Sequence, residues 1–348
     1  GGIAGASCAA KLITRGAAVD IYDKNAIASG GSGNLRGLFN PRFTAQQGFD
    51  SDFYGPAFAL AHRQFSMMQD VAYQKCGSLH LILDDDKRRR FMGMADTWGW
   101  HDDHLRFLNA DETSAVAGIP LTHDAIFLPD AGMVCPAQVT KSLAVSAQYY
   151  PHDVINLDTD GASWRVTGDG FTREYDAVII AAGKDVPRFA QTEFLPVQAV
   201  RGQISYIDTP PSLESLRTNL CYGGYCTAPF DRQMVVGSTF QHWLDGDTLR
   251  DDDHHEVIAK LSTVTGIVLD TVKIRGGRAS FRCAARDRVP VIGEMPNARG
   301  LYISAAHGSH GLLSAQIAAQ ILVAQIYSNT PILPRSVTNR LSPARFLK

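Results

Sequence analysis

Five residues at the start of the chain carry the first chemical signal. Gly1, Gly2, Ile3, Ala4 and Gly5 match the last five positions of a G-x-G-x-x-G turn, with Ala6, Ala9 and Ala10 following as a small-residue helix. Glycine is needed in such a turn because the backbone must bend tightly and approach a pyrophosphate, whose charge meets the free N–H groups of a helix start. A strand predicted over 18–22 ends at Asp23, at the separation that places a carboxylate beside a ribose hydroxyl. A second glycine-bearing turn, Gly308-Ser309-His310-Gly311, opens a helical pattern through Leu312, Leu313, Ile317, Ile321, Leu322 and Ile326. Two such turns at opposite ends of the chain, with a strand end at Ala181-Ala182-Gly183, favour a large cofactor reached by remote segments, FAD rather than NAD. A helix starting at Gly311 points its positive end at whatever lies above the turn. The alternative for these glycines is simple capping and packing.

Composition narrows the remaining classes. The 348 residues are 45% hydrophobic and 20% charged, with a formal charge of -2 and a pI of about 6.6. That is enough apolar content for two cores, and no global positive field attracts a polyanion. No apolar run reaches membrane-spanning length. Cys8, Cys76, Cys135, Cys221, Cys226 and Cys283 form no C-x-x-C pair and no zinc-spaced cluster, which predicts reduced thiols in a cytoplasmic protein. The proximity of Cys221 and Cys226 keeps a redox pair open as the alternative. Lys87-Arg88-Arg89-Arg90 directly follows Asp84-Asp85-Asp86, which reads as self-compensated surface charge or as a phosphate-backbone patch. The acidic run from Asp251 to Glu256 suits a helix start better than a metal site.

The elements that position these residues follow from periodicity. Helices are predicted over 54–73, 136–149 and 251–261, and strands over 78–83, 154–157 and 163–166. The stretch 112–134 reads as turns with short extended pieces. The apolar run 176–183 reads as a central parallel strand, 196–240 as antiparallel sheet and 301–305 as a last apolar strand. Together these predict an α/β chain with a Rossmann-like FAD-binding domain of segments 1–45, 136–195 and 282–348. An α+β substrate domain with an antiparallel sheet, 46–135 and 196–281, is interleaved with it. A doubly wound sheet needs an apolar strand before Gly1, so the sequence is expected to be part of a longer polypeptide.

The stretches GGIAGAS, ASGGSGNLRGLFNP, LPDAGMVCP, VIIAAGKDVPRFAQT, VRGQISYI, LCYGGYCTAP, FRCAARDRVPVIG and HGSHGLLSA occur in that order. Together they resemble the D-amino-acid-oxidase-like flavoproteins, whose FAD domain is glutathione-reductase-like. SGNLRGLFNP, CYGGY, RCAARDRVP and the closing LSPARF select one branch. That branch is the C-terminal FAD-dependent oxidoreductase domain of the bifunctional tRNA 5-methylaminomethyl-2-thiouridine biosynthesis proteins. The resemblance implies oxidative removal of the carboxymethyl group from carboxymethylaminomethyl(-2-thio)uridine at the tRNA wobble position, giving aminomethyluridine and glyoxylate. It also implies tRNA as partner and a methyltransferase domain fused upstream. A free glycine- or sarcosine-type oxidase and a catalytically idle, flavin-holding tRNA-positioning module remain the alternatives.

The resemblance carries over to particular residues. FAD contacts are implied for Gly1, Gly2, Ile3, Ala4 and Gly5, and for Asp23 and Lys24. The loop residues Ser32, Gly33, Asn34 and Gly37 join them, with Val154, Ala182 and Gly183. The last group is Gly308, Ser309, His310, Gly311 and Leu312. Arg282 stands where amine oxidases of this superfamily place a carboxylate-binding arginine, with Arg278 and Arg286 near enough in sequence to be confused with it. Tyr225 matches a tyrosine lining the substrate side, with Tyr222 as rival. Gln203 and Arg201 in VRGQ either face the flavin or finish a strand, and Gly202 is expected to allow a backbone approach. Arg36 is expected beside the isoalloxazine or in solvent. His310 departs from the branch, which has arginine there, and would be a flavin-side cation only when protonated.

Overall fold

The computed structural model describes residues 1–347. Helix Ile3–Ile13 starts directly from Gly2, whose backbone is extended, and Ser32 Oγ from the following loop accepts its first N–H at 2.9 Å. Its small buried face, Ala6, Ser7, Cys8 and Ala9, lets helix Gly311–Ile326 pack close, and Gln316 Nε2 donates to Ser7 Oγ at 2.9 Å between them. The second helix is apolar on nearly every side and lies in the core accordingly. Sequence termini more than 300 residues apart are thus joined at one layer.

The strands of this layer are short. Asp20–Tyr22 pairs in parallel with Gln148–Tyr150, while Val178–Ile180 pairs in parallel with Leu301–Ala305, itself antiparallel to Val291–Glu294. The strand Gln148–Tyr150 falls where a helix tail was expected, because the helix covers only Pro136–Ala144. Stacking of Tyr150 on Tyr22, with centroids 5.2 Å apart, and the strand ladder override local helical spacing there. The run expected as a central strand has a ladder on one side only among the described residues. A meander of Val154–Thr159, Trp164–Gly168 and Phe171–Tyr175 completes this half.

An eight-stranded sheet forms the other half, in the order Ile274–Ala285, Val197–Asp208, Gln233–Gly237, Tyr225–Cys226, Asn219–Cys221, Ser78–Leu81, Ala125–Leu128, Arg106–Leu108. It is antiparallel as expected except between Asn219–Cys221 and Ser78–Leu81, a parallel pair that knits the two inserted segments together. Helix Asp251–Thr265 covers it through Val257, Ile258 and Leu261, packed with Ile207, Met234 and Val236. The boundary drawn at 281/282 falls inside strand Ile274–Ala285, which belongs wholly to this sheet. Helix Ala110–Ala117 lies in the stretch expected as turns; its signal was present in the capping box of Asn109 and Glu112. The helix expected over 54–73 runs instead from Phe49 to Met67, and Tyr73–Gln74 is a strand.

Between the halves, strand Gly37–Phe39 pairs with Gly132–Val134 and carries the loop 28–36 across the layer. Phe39 is fully buried, stacked on Phe58 at 4.9 Å and edge-on to Phe65 at 5.3 Å. Phe39→Ala is therefore expected to cost about 3–5 kcal/mol in denaturant unfolding. A loss within about 0.5 kcal/mol, the scale of a surface change, would contradict this packing.

Candidate functional site

A cleft of about 1900 Å³ lies between the two halves. Small-ligand pockets span roughly 300–1,000 Å³, so this one has room for an extended dinucleotide together with a second molecule. Its walls include both the edge of Asp20–Tyr22 and that of Val178–Ile180.

At one end the cleft is lined by Gly1 through Gly5, Asp23, Lys24, Ser32, Asn34 and Gly37. Val154, Ala182, Gly183 and the turn Gly308 to Leu312 line it as well. Of the expected cofactor contacts only Gly33 lies off the wall. A methyl at Gly33 would overlap the Arg278 guanidinium, which braces the loop by donating to the carbonyls of Ser29 and Gly30 and to Asn34 Oδ1. Arg278 is thus a loop brace. Lys24 is held by Asp185 at 2.7 Å.

Two helices open onto this end, Ile3–Ile13 at Gly2 and Gly311–Ile326 at His310, and neither N-cap residue supplies a side-chain cap. Ser32 Oγ accepts from the Ile3 N–H at 2.9 Å, and the dipoles of both helices add positive potential that suits the phosphates and the electron-rich ring edge of a flavin dinucleotide. Gly308 has a φ of +57° and nothing within 4 Å of where a Cβ would stand, which leaves the turn open to a flat ring.

The wall contributed by the large sheet carries Arg282 on strand Ile274–Ala285. Arg282 Nη2 donates to Ser238 Oγ at 2.7 Å and Nη1 to the Thr239 carbonyl at 3.4 Å, and the guanidinium lies 4.3 Å over the Phe240 ring. It makes no ion pair among the described residues, and burial pushes its pKa down while Tyr225 opposes the shift. Arginine remains a cation even so. Gly202, on the neighbouring strand, makes this possible: a methyl there would overlap the guanidinium, so the expected backbone approach is instead a bed for the Arg282 side chain.

Tyr225 faces the same space, and burial holds its phenol far above the usual range, with Arg282 pulling the other way. Its hydroxyl has no protein partner among the described residues. The rival Tyr222 lies in the core of the large sheet, off the cleft. Arg286 and Arg36 are also off it; Arg36 sits 4.1 Å over Phe230. Gln203 does not reach the cleft either: it is fully buried, its amide bonded to Arg201 and to the Arg250 backbone.

His310 lines the cleft, but burial, reinforced by Arg42, lowers its pKa to about 4, so it is neutral at pH 7. It packs edge-on against Tyr54, centroids 5.3 Å apart. Fixed positive charge at this wall comes from Arg42, a residue sequence reasoning missed, which lies 4.4 Å over Tyr54 and pairs with Asp50 at 2.9 Å. His307, also brought to about 4 by burial, is held between Ser304 Oγ at 3.1 Å and Ser314 Oγ at 2.8 Å.

The remaining sequence signals resolve simply. No group of three metal-ligating side chains exists among the described residues, and all six cysteines are free. Arg88 pairs with Asp124 and Arg89 with Asp86, while Arg90 reaches the cleft wall. No helix among the described residues is long and apolar enough to cross a membrane.

The family model for the FAD-dependent oxidoreductases called DAO matches residues 1–325. The chain belongs to that family. It is an FAD-dependent oxidoreductase. The chain is 30% identical to the tRNA 5-methylaminomethyl-2-thiouridine biosynthesis bifunctional protein MnmC of Stutzerimonas stutzeri, over 99% of this chain and 58% of that protein. It thus spans less than two thirds of this curated relative. Among solved structures, glycine oxidase from Geobacillus kaustophilus superposes with a TM-score of 0.84 at 19% identity, covering 98% of this chain and 96% of its own. Iminodiacetate oxidase from Chelativorans sp. BNC1 superposes with a TM-score of 0.80 at 24% identity, covering 98% and 97%. Both share the fold.

His80, His307 and His310 are each lowered from 6.5 to about 4. Below pH 6.5 the unfolded chain takes up protons that the folded chain refuses, so these histidines are expected to add no slope to the unfolding free energy above about pH 6.5 and to make it fall as pH drops from 6.5 to 4. Denaturant melts across that window check this. His307→Gln should remove part of the slope, and stability unchanged down to pH 4 would contradict the assignment.

Proposed function

We propose that the protein oxidises the carboxymethylaminomethyl side chain of a wobble uridine in tRNA, releasing glyoxylate and leaving aminomethyluridine. The observation that carries this reading is Arg282, a half-buried cation that has no anionic partner among the described residues, facing the cleft with Tyr225, whose hydroxyl has no partner among the described residues. A planar guanidinium matches a carboxylate with two parallel bonds. The names of the relatives support it: one is a tRNA 5-methylaminomethyl-2-thiouridine biosynthesis protein, and the structural neighbours are oxidases of glycine and of iminodiacetate. Each of those amino acids carries a carboxylate one carbon from an amine, as the carboxymethylamino group does.

Bound FAD would take the hydride equivalent from the methylene between amine and carboxylate. The protein's own part is placement. Gly1 to Gly5, Asp23 and the Gly308–Leu312 turn would hold the cofactor, the two helix starts meeting its phosphates and ring edge. Arg282 fixes the carboxylate, which sets the direction of the methylene. Its charge also disfavours protonation of the adjacent amine, and the reaction requires that amine neutral. Tyr225, kept protonated by burial, offers a hydrogen bond to carboxylate or amine. His307 and His310 stay neutral and add no competing cation at pH 7.

Mass spectrometry of nucleosides from carboxymethylaminomethyluridine-bearing tRNA, before and after incubation with flavin-loaded protein, tests the reading. Loss of a carboxymethyl mass with glyoxylate release is expected. Arg282→Ala should lower kcat/KM by roughly 100-fold or more while flavin content is kept. Turnover of free glycine or sarcosine with unchanged tRNA would replace this function by that of a free amino-acid oxidase.

A further inference from the structure

The most deeply buried charges lie behind the cleft. Arg201 and Asp253 are 1% and 2% exposed, and all five guanidinium donors are used. Nε donates to the Gly246 carbonyl at 2.9 Å, Nη1 to Gln241 Oε1 and Asp253 Oδ2 at 2.5 and 2.6 Å, and Nη2 to Gln203 Oε1 and the Thr248 carbonyl at 2.9 and 2.6 Å. Gln241 Nε2 meets the second oxygen of Asp253 at 2.6 Å, and Gln203 Nε2 donates to the Arg250 carbonyl at 2.8 Å. Thr239 is tied to the Gln203 backbone at both its N–H and its hydroxyl.

Arg201 reaches segment 239–250 at Gln241, Gly246 and Thr248, Gln203 reaches it at Thr239 and Arg250, and Asp253 holds Gln241 from helix Asp251–Thr265; the segment itself has only the bridge at Gln241 as regular structure. The start of that segment is what Arg282 rests on: Ser238 Oγ, the Thr239 carbonyl and the Phe240 ring. Strand Val197–Asp208 works on both faces, since alternate residues point opposite ways. Arg201 and Gln203 grip the segment on one face, and Gly202 gives the Arg282 guanidinium its bed on the other. A buried ion pair is weak as a source of stability compared with a hydrophobic replacement of the same shape. Here three of the five Arg201 donors end on segment 239–250, and the other two on Asp253 and Gln203, which are themselves bonded to it.

We propose that Arg201, with Asp253, Gln203 and Gln241, is the positioning device for Arg282. It fixes segment 239–250 so that the guanidinium fork is aimed before substrate arrives, and it sets affinity for the carboxylate without touching it. The inference rests on the reading of Arg282 as carboxylate anchor.

The test uses flavin-loaded enzyme and two anticodon stem–loops identical except at the wobble position, one carrying carboxymethylaminomethyluridine and one aminomethyluridine, which lacks the carboxylate. Arg201→Met/Asp253→Leu removes both charges together and leaves no orphan ion. Arg201→Lys keeps the charge but loses the fork to the Gly246 and Thr248 carbonyls, and guards against a folding failure of the double variant. The expected result is roughly tenfold weaker binding of the carboxymethylated stem–loop in the double variant, a smaller loss in the lysine variant, and unchanged binding of the aminomethyl control. Equal weakening for both stem–loops, or loss of flavin in both variants, would reduce the network to ordinary scaffolding and overturn the proposal. Unchanged binding in both variants, with Arg282→Ala losing the preference for the carboxylate, would overturn it and spare the anchor. If Arg282→Ala also binds both stem–loops as the wild type does, or the wild type has no preference, the anchor reading fails and takes this inference with it.

Discussion

A positive charge without a protein counter-charge is the constraint on which the site depends. Burying a guanidinium is unfavourable unless its donors find acceptors, and Arg282 has a hydroxyl, a carbonyl and an aromatic face but no carboxylate among the described residues. That deficit is what the proposed substrate carboxylate would fill. It also explains local sequence choices that are otherwise arbitrary, above all a glycine at 202 in the middle of a long strand, where any side chain would displace the arginine.

The second organising feature is the meeting of two helix starts from opposite ends of the chain. Ile3–Ile13 and Gly311–Ile326 pack against each other through small residues, so both positive ends open onto one cleft. The large sheet then brings Arg282 and Tyr225 to the same space, with the Gly308 N–H bonded to the Cys283 carbonyl at 2.9 Å. In the proposed reading, helix dipoles serve the phosphates and a strand-borne arginine the carboxylate.

Local pattern made part of this legible. The glycine turns, the apolar strand Leu301–Ala305 and the helix after Gly311 depend on short-range spacing and stand where the sequence places them. What failed to show was set by distant pairing. Gln148–Tyr150 is too short to declare itself and becomes a strand only against Asp20–Tyr22. The support of Arg282 by Ser238, Thr239 and Phe240 arises from an irregular segment with no periodicity to read. The position of Gln203 was within reach, because its two-residue spacing from Arg201 and Ser205 puts all three on one strand face, and that face turns toward helix Asp251–Thr265. Arg42 escaped notice because its partnership with Tyr54 and its effect on His310 join residues far apart in sequence.

The central claim is that a carboxylate held by Arg282 presents a glycine-like methylene to FAD in this cleft. Its most direct test is an anaerobic titration of the flavin-loaded protein with carboxymethylaminomethyluridine stem–loop, followed by flavin absorbance. The account predicts bleaching of the oxidised band with one glyoxylate formed per flavin reduced. A spectrum that stays oxidised at saturating stem–loop would contradict it.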